Sequence, residues 1–235
     1  MEAEHADLGG EELFARGKTP LAAASPSMPR GFSLKAMIIA VLLAAGESRR
    51  MGRPKALLPI QGTRFIEKIV TALRSAQVGK IIVVLGHDAE ALRRQICDLP
   101  VEIVVNEDYK LGQLSSLMAA LRKIESSSDA GHIDGILVHL VDHPYVNPGL
   151  VNTMIDRFYA TKKLIVVPRY QGRRGHPVIF SRDLFGELLA APLDQGAKSV
   201  VHAHREDTLE IDTEDEGTTI DIDTPDAYRK YVEGD

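Results

Sequence analysis

Leu42-Leu43-Ala44-Ala45-Gly46-Glu47-Ser48-Arg49-Arg50-Met51-Gly52-Arg53-Pro54-Lys55 joins an apolar run to a basic loop. The run, Ile38 to Leu43, has no polar alternation, which is the habit of a strand covered on both faces in a parallel sheet. Directly after it, Ala44, Ala45 and Gly46 are small enough for the backbone to come close to a ligand. Successive N–H groups in such a turn form an anion cradle. Arg50 offers a forked guanidinium and Lys55 a mobile point charge, both suited to phosphate oxygens. The stretch is neither a P-loop, which needs Gly-x-x-x-x-Gly-Lys-Ser/Thr, nor a Gly-x-Gly-x-x-Gly dinucleotide fingerprint. An ordinary strand-to-helix loop with surface arginines is the plain alternative.

Outward from this loop the pattern alternates. Phe65, Ile66, Ile69, Val70 and Leu73 fall on one face of a helix. Strands are expected at Ile81–Leu85, Val101–Val105, Ile136–Val141, Leu164–Val167 and Val178–Phe180. Helices are expected at Ala89–Ile96, Ser115–Ile124, Pro148–Tyr159, Leu184–Leu189 and Asp226–Val232. Thr208 to Asp223 reads as short strands around an acidic turn, with His202 and His204 on one face of a strand just before it. Strands alternating with helices give an α/β fold of three layers, a mostly parallel sheet with helices on both faces. Ligands in such folds gather at the carboxyl ends of the strands. Residues 1–36, rich in Ala, Gly, Pro and Ser, lack apolar periodicity and read as a flexible N-terminal extension, with Met37 an alternative start; 37–235 form the domain.

Of the 235 residues, 44% are hydrophobic and 26% charged, as in an ordinary globular protein. The net charge of −5 gives no footprint for nucleic acid. Cys97 is the only cysteine, so neither an intrachain disulfide nor a thiolate zinc cluster can form. The longest apolar run, Ala36 to Ala45, falls well short of the roughly 20 residues that cross a bilayer. No membrane association is expected, and a cytoplasmic setting fits the cysteine usage.

Three further segments carry chemistry. Asp142 follows an apolar strand and precedes His143-Pro144, a position suited to holding Mg²⁺, which takes one or two carboxylates plus substrate phosphates; capping of the next helix is the bland reading. Asp221 and Asp223, in Asp-Ile-Asp-Thr-Pro, would share a face of an extended segment; either can supply the second carboxylate, with Asp223 favoured and a helix-capping role for Asp223 or Thr224 as the alternative. Gln171-Gly172-Arg173-Arg174-Gly175-His176-Pro177 is a basic loop of the kind that meets an anion, or else a surface loop stiffened by proline. Ser115 or Ser116 would open a helix as its N-cap. His139, His143, His202 and His204, without further ligands, read as structural or surface histidines.

Leu43 through Leu58 resembles the L-A-A-G-x-S-x-R-M-G-x-P-K-x-L-L signature of MobA-like nucleotidyltransferases, and within them the molybdenum cofactor cytidylyltransferases (MocA-like). The likeness continues at intervals to Pro225. It implies a Rossmann-like fold of the nucleotide-diphospho-sugar transferase type. It implies that Leu43, Ala44, Ala45, Gly46, Ser48, Arg50 and Lys55 wrap a nucleoside triphosphate, and that Gly112, Ser115 and Ser116 lie against base and sugar. Leu114 departs from the small or polar residues frequent there. The resemblance further implies that Asp142 and Asp223 hold Mg²⁺, that Arg173, Arg174, Gly175 and His176 meet the acceptor, and that Arg50, Lys55 and Asp142 serve catalysis. Ala45 resembles the cytidine-using members, so the expected reaction moves CMP from CTP to a phosphorylated small molecule, molybdopterin or the molybdenum cofactor above all. A molybdoenzyme or its chaperone is the expected protein partner. The rival expectation is a non-catalytic nucleotide-binding protein that delivers cofactor.

Overall fold

A computed structural model describes residues 37–234; the extension expected at 1–36 lies outside them. Strand β1 (Met37–Ala44) pairs in parallel with β4 (Ile81–Leu85) on one side and β6 (Ile133–Leu140) on the other. Between β1 and β4 lie the hairpin β2 (Pro59–Ile60) and β3 (Thr63–Arg64) and helix α1 (Phe65–Arg74). Helix α2 (Ala89–Gln95) leads to β5 (Glu102–Val105), and α3 (Gln113–Glu125) leads to β6. Then follow α4 (Pro148–Thr161), β7 (Ile165–Tyr170), β8 (Arg173–Arg174), β9 (Val178–Ser181), α5 (Phe185–Ala190), α6 (Lys198–Ala203), β10 (Thr208–Asp212) and α7 (Pro225–Tyr228). The strand order is β10-β7-β9-β6-β1-β4-β5, with β8 paired to β7. Within this sheet β8 and β9 run antiparallel to the strands they pair with, and the other pairings are parallel.

The apolar run of β1 is buried on both faces, and the pleat sorts its side chains into two cores. Ile38, Ala40, Leu42 and Ala44 pack with Ile66, Ile69 and Leu73 of α1, Leu92 of α2, and Val151, Met154 and Ile155 of α4. Ile39, Val41 and Leu43 pack on the other side with Leu117 and Leu121 of α3, Leu188 of α5 and Val200 of α6. This is the three-layer arrangement expected from the alternation.

Four local expectations are corrected. Helix α3 starts at Gln113 with Gly112 at its N-cap, so neither Ser115 nor Ser116 caps it. Gly112 has φ +102°, a conformation side chains disfavour. Ser115 and Ser116 instead lie buried inside the first turns, each hydroxyl accepting from Asn106 Nδ2 at 2.9 Å. His202 lies in α6, and His204 follows it, so they share no strand. Beyond β10 the acidic region holds no second strand; a 3₁₀ turn at Glu216–Thr219 and an extended stretch take its place. The closing helix is short: α7 ends at Tyr228 and gives way to a π turn at Arg229–Glu233. Capping falls to other side chains than the aspartates. Asn147 caps α4 by accepting from Gly149 and Leu150, and Thr224 caps α7 by accepting from the Ala227 amide at 3.2 Å.

The extended stretch is held in place from both sides. Ile222 is fully buried with Leu58, Ile60, Phe65 and Tyr228. Tyr228 donates its hydroxyl hydrogen to the Pro59 carbonyl at 2.5 Å, tying α7 to the hairpin. The Ile222 amide donates to the Asp142 carbonyl at 2.9 Å. Ile222→Ala removes most of a buried side chain, and a loss of about 2–4 kcal/mol of unfolding free energy is expected in chemical denaturation; a loss under about 1 kcal/mol would show that the segment is not packed as described.

Candidate functional site

The carboxyl end of β1 runs straight into the Ala44-Ala45-Gly46 turn. Ala44 and Ala45 are buried, whereas a Cβ built on Gly46 would meet nothing within 4 Å. The loop then turns at Ser48, which adopts a left-handed backbone (φ 52°, ψ 34°). That conformation is uncommon outside glycine and marks a constrained position. Ser48 Oγ accepts from the Lys55 amide at 3.1 Å and closes the loop on itself. Two 3₁₀ turns, Arg49–Met51 and Lys55–Leu57, carry Arg50 and Lys55 to the mouth of a cavity of about 320 Å³.

Leu43, Ala44, Ala45, Gly46, Ser48, Arg50, Lys55, Gly112 and Ser116 all line this cavity, together with Asp142 and Asp223. Of the expected nucleotide-binding residues only Ser115 is missing from the wall. Its hydroxyl turns inward to the Asp108 and Gly112 carbonyls, at 3.0 and 2.7 Å. Leu114, the departure from the family pattern, faces a different cavity. Tyr109 and Gln113 line the site and escaped the sequence reading. Their signal was weak: an aromatic and an amide flanking Gly112, without a spacing of their own. Gly86 explains how Tyr109 comes so close, because a Cβ there would meet the Ala45 carbonyl oxygen at 2.8 Å and the Tyr109 ring carbon at 2.8 Å.

Charge is concentrated at one side. The Lys55 ammonium donates to Asp142 Oδ2 at 2.9 Å and also to Asp223, and Arg50 pairs with the same Asp223. Burial disfavours the charge on Lys55, yet Asp142 and Asp223 outweigh it and hold its pKa above the ordinary value. Burial also works against the Asp223 carboxylate, but Lys55 and Arg50 prevail and its pKa is lowered. Asp221 has no such cation. Burial, then the Asp142 and Asp223 charges, push its carboxyl above the usual range.

Asp142, His143 and Asp221 each present one ligand atom, and these atoms lie within 4.8 Å of one another. Asp142 Oδ1 and His143 Nδ1 are buried without a hydrogen-bond partner, so a cation would satisfy both. Two carboxylates and an imidazole suit a divalent metal, with the imidazole favouring ions such as Mn²⁺ more than Mg²⁺. From sequence alone His143 reads as a structural or surface histidine; the geometry sets it beside the carboxylates. Asp223, the favoured second ligand, is engaged with Lys55 and Arg50.

Behind Asp142, the buried His139 and His143 meet the half-buried His176. The ring centroids of His143 and His176 are 5.0 Å apart, and His139 lies 6.3 Å from each. His139 donates from Nε2 to the His143 carbonyl at 2.8 Å. Desolvation, aided by the His176 charge, lowers the pKa of His139 to about 3, and desolvation with the His143 charge lowers that of His176 to about 4. Both rings are therefore neutral near pH 7.

A larger cavity of about 570 Å³ adjoins the first, sharing Leu43, Gln113 and Leu140 with it. Arg174, Gly175 and His176 line it; Arg173 does not. Arg174 Nε donates to Glu210 at 2.7 Å, and the same carboxylate pairs with Arg169. Gly175 packs against the Thr218 carbonyl so closely that no Cβ would fit, and the His176 amide donates to that carbonyl at 2.8 Å.

Residues 40–208 match the MobA-like NTP transferase domain family. The chain belongs to that family. Among MobA-like relatives, nicotine blue oxidoreductase of Paenarthrobacter nicotinovorans is 32% identical over 200 residues, covering 80% of this chain and 92% of that protein. A probable molybdenum cofactor guanylyltransferase of Pyrococcus horikoshii is 29% identical over 173 residues, covering 72% and 82%. The crystal structure of Rv0371c from Mycobacterium tuberculosis is similar at 35% identity and a TM-score of 0.74, covering 85% of this chain and 98% of that one. Its complex with manganese gives 33% and 0.70, covering 85% and 100%. The fold is that of the Rossmann-like nucleotidyltransferases, and the MobA-like assignment carries with it a nucleoside triphosphate and a phosphorylated acceptor as substrates. Among the described residues no helix is long and apolar enough to cross a membrane.

Two outcomes follow. With Mn²⁺ titrated into metal-free protein and followed by electron paramagnetic resonance, Asp142→Asn and Asp221→Asn should each weaken binding at least about tenfold, each removing a charged ligand. Asp223→Asn should change it less than about threefold; an equal loss there would make Asp223 a ligand before nucleotide arrives. The second outcome concerns pH. Histidines with depressed folded pKa values stabilise the protein above their unfolded value of roughly 6.5 and lose that contribution as pH falls. His139 and His176 should each withdraw up to about 1.4 kcal/mol per pH unit below pH 6.5. The melting temperature should therefore drop between pH 6.5 and 5, and less steeply in His139→Gln; a flat wild-type profile over that window would contradict the burial of neutral rings.

Proposed function

We infer that the protein transfers a nucleotidyl group, CMP from CTP, to the phosphate of a small-molecule acceptor and releases pyrophosphate. The observation that carries this reading is Lys55, held by Asp142 and Asp223 at the wall of a cavity floored by the Ala44-Ala45-Gly46 turn. A cation parked between carboxylates beside an anion cradle is suited to a ligand that brings both phosphates and a metal.

An oxygen of the acceptor phosphate attacks the α-phosphorus, and the bond from that phosphorus to the bridging oxygen of pyrophosphate breaks. The substrate supplies its own anionic nucleophile, so no general base is needed. The loop amides from Ala45 to Ser48 cradle the triphosphate. Arg50 and Lys55 exchange their carboxylate partners for phosphate oxygens and neutralise charge on the leaving group. With that exchange made, Asp142 and Asp223 would hold Mg²⁺. The bound ion supplies Lewis-acid neutralisation of the phosphates. Catalysis is thus positioning plus charge compensation. The Ala45 methyl narrows the space beside the base, and Gln113 and Ser116 offer polar groups to its edge.

Molybdopterin or its molybdenum form is the favoured acceptor, with a molybdoenzyme or its chaperone as the consumer of the product. The name of the Pyrococcus horikoshii relative supports a molybdenum cofactor substrate, although that protein is described as a guanylyltransferase. The acceptor stands in the larger cavity, bordered by Arg174, Gly175 and His176, with Arg173 at the loop's outer face. The relative named as an oxidoreductase shares the family; in this chain the grouping of Arg50, Lys55, Asp142 and Asp223 is what favours nucleotidyl transfer.

The test crosses CTP, GTP, ATP and UTP with candidate acceptor phosphates and reads pyrophosphate. CTP should exceed GTP by at least about tenfold in kcat/KM, roughly 1.4 kcal/mol in the transition state. Ala45→Gly should shrink that ratio, and Asp142→Asn should cost about a hundredfold or more in kcat. A preference for a purine would overturn the cytidine assignment. Nucleotide binding with no pyrophosphate release from any acceptor would favour the non-catalytic delivery protein.

A further inference from the structure

We propose that Lys198 and Arg205, carried by α6 and the turn after it, hold the anionic group of the acceptor. The acceptor is then a molecule with a flat or branched apolar body and an anionic head. This rests on the nucleotidyl-transfer reading and specifies its second substrate.

The larger cavity has a divided chemistry. Leu117, Val138, Ile165, Val178 and Phe180 give it an apolar wall on the sheet and α3. Such a wall takes a ring or hydrocarbon surface and gains little from a bare phosphate. The lysine and arginines on the remaining wall are Arg174, Lys198 and Arg205, with His202 beside them. Arg174 is already committed, since its guanidinium pairs with Glu210 at 2.5 Å. Lys198 forms no ion pair among the described residues. Arg205 meets no carboxylate there either; its contact is His202 Nδ1 at 3.4 Å, which leaves its charge uncompensated. Asp194, the one carboxylate on this wall, pairs with neither.

Lys198 and Val201, three residues apart in α6, share a face of that helix; α6 ends at Ala203, and the turn after it brings Arg205 to the same cavity, which all three line. Val201 lies between the two cations, so the charged pair brackets an apolar contact. Lys198 is also near enough to His176 that its charge helps to keep that ring neutral. His176 in turn lies against His143, its ring tilted at 60° to it, next to Asp142, so a group seated on Lys198 lies toward the reacting side of the cavity. In a chain of net charge −5, two uncompensated cations inside a cavity draw an anion there against the overall field. The sequence directed attention to Arg173 and Arg174, the adjacent pair; one is off the wall and the other is neutralised. Lys198 and Arg205, seven apart, become a pair only once α6 is formed.

The probe is 8-anilinonaphthalene-1-sulfonate, an aromatic body with one anionic group, read by fluorescence on the full chain. N-phenyl-1-naphthylamine supplies the same rings without the charge. Lys198 and Arg205 are solvent-exposed, so the Lys198→Gln/Arg205→Gln double variant should fold. It should weaken sulfonate binding at least about tenfold, while the uncharged probe changes less than twofold and Arg173→Gln has under a quarter of that effect on a logarithmic scale. Three results would each overturn the proposal: no sulfonate binding by wild type, no loss in the double variant, or an equal loss with the uncharged probe. Calorimetry of nucleotide with Mg²⁺ on the same variants separates this from the reading beneath it. Unchanged nucleotide affinity with lost sulfonate affinity supports the proposal, whereas absence of nucleotide binding in wild type counts against nucleotidyl transfer itself.

Discussion

Complete burial of β1 is the constraint on which the molecule is organised. Its neighbours β4 and β6 pair along both edges, and its alternating side chains feed two separate helical layers. No polar side chain can be placed along it without losing one of those contacts, so the first polar opportunity comes where the strand ends. That is the Ala44-Ala45-Gly46 turn. The same argument applies to β6, whose apolar run is interrupted by His139 and ends beside Asp142. Two buried strands side by side therefore deliver a small-residue turn and a carboxylate to the same edge of the sheet.

The edge is a balanced electrostatic unit. Lys55 and Arg50 face Asp142 and Asp223, and Asp221 stands nearby with its carboxyl raised by burial and by the charges of Asp142 and Asp223. Such a set is costly to desolvate by halves, because removing one partner strands the other. It is well suited to an incoming ligand that brings equal and opposite charges together. The neutral histidines behind Asp142 keep further positive charge away from it.

Most of the scaffold was legible because its signals were local. Apolar runs, unbroken in β1 and β4 and broken only by His139 in Ile136–Val141, marked those strands, and period-3.6 spacing marked α1. The Leu43–Lys55 loop was legible because its residues lie together in the chain. What escaped reading depended on distance in sequence. Ser115 resembles an N-cap until Asn106 claims its hydroxyl from the end of β5. His139, His143 and His176 look unrelated until β6 and the loop before β9 bring them together. His202 and His204 alternate as in a strand, but the helix that carries Val200 into the core decides otherwise. Whether Asp221 or Asp223 is free of cations depends on where Lys55 and Arg50 reach, which no local pattern encodes.

The stretch from Thr218 to Ile222 links both cavities. Thr218 receives the His176 amide through its carbonyl, and Ile222 gives its own amide to Asp142. Four residue steps cannot span more than about 14 Å. The loop at His176 and Asp142 are therefore tethered like points on a short ruler, and neither can retreat far without dragging the other. A change in the width of the larger cavity would come from the opposite wall, where α6 is fastened to the core chiefly through Val200. Divergence in substrate choice among proteins sharing this frame would then accumulate in that helix, while the ruler keeps its length.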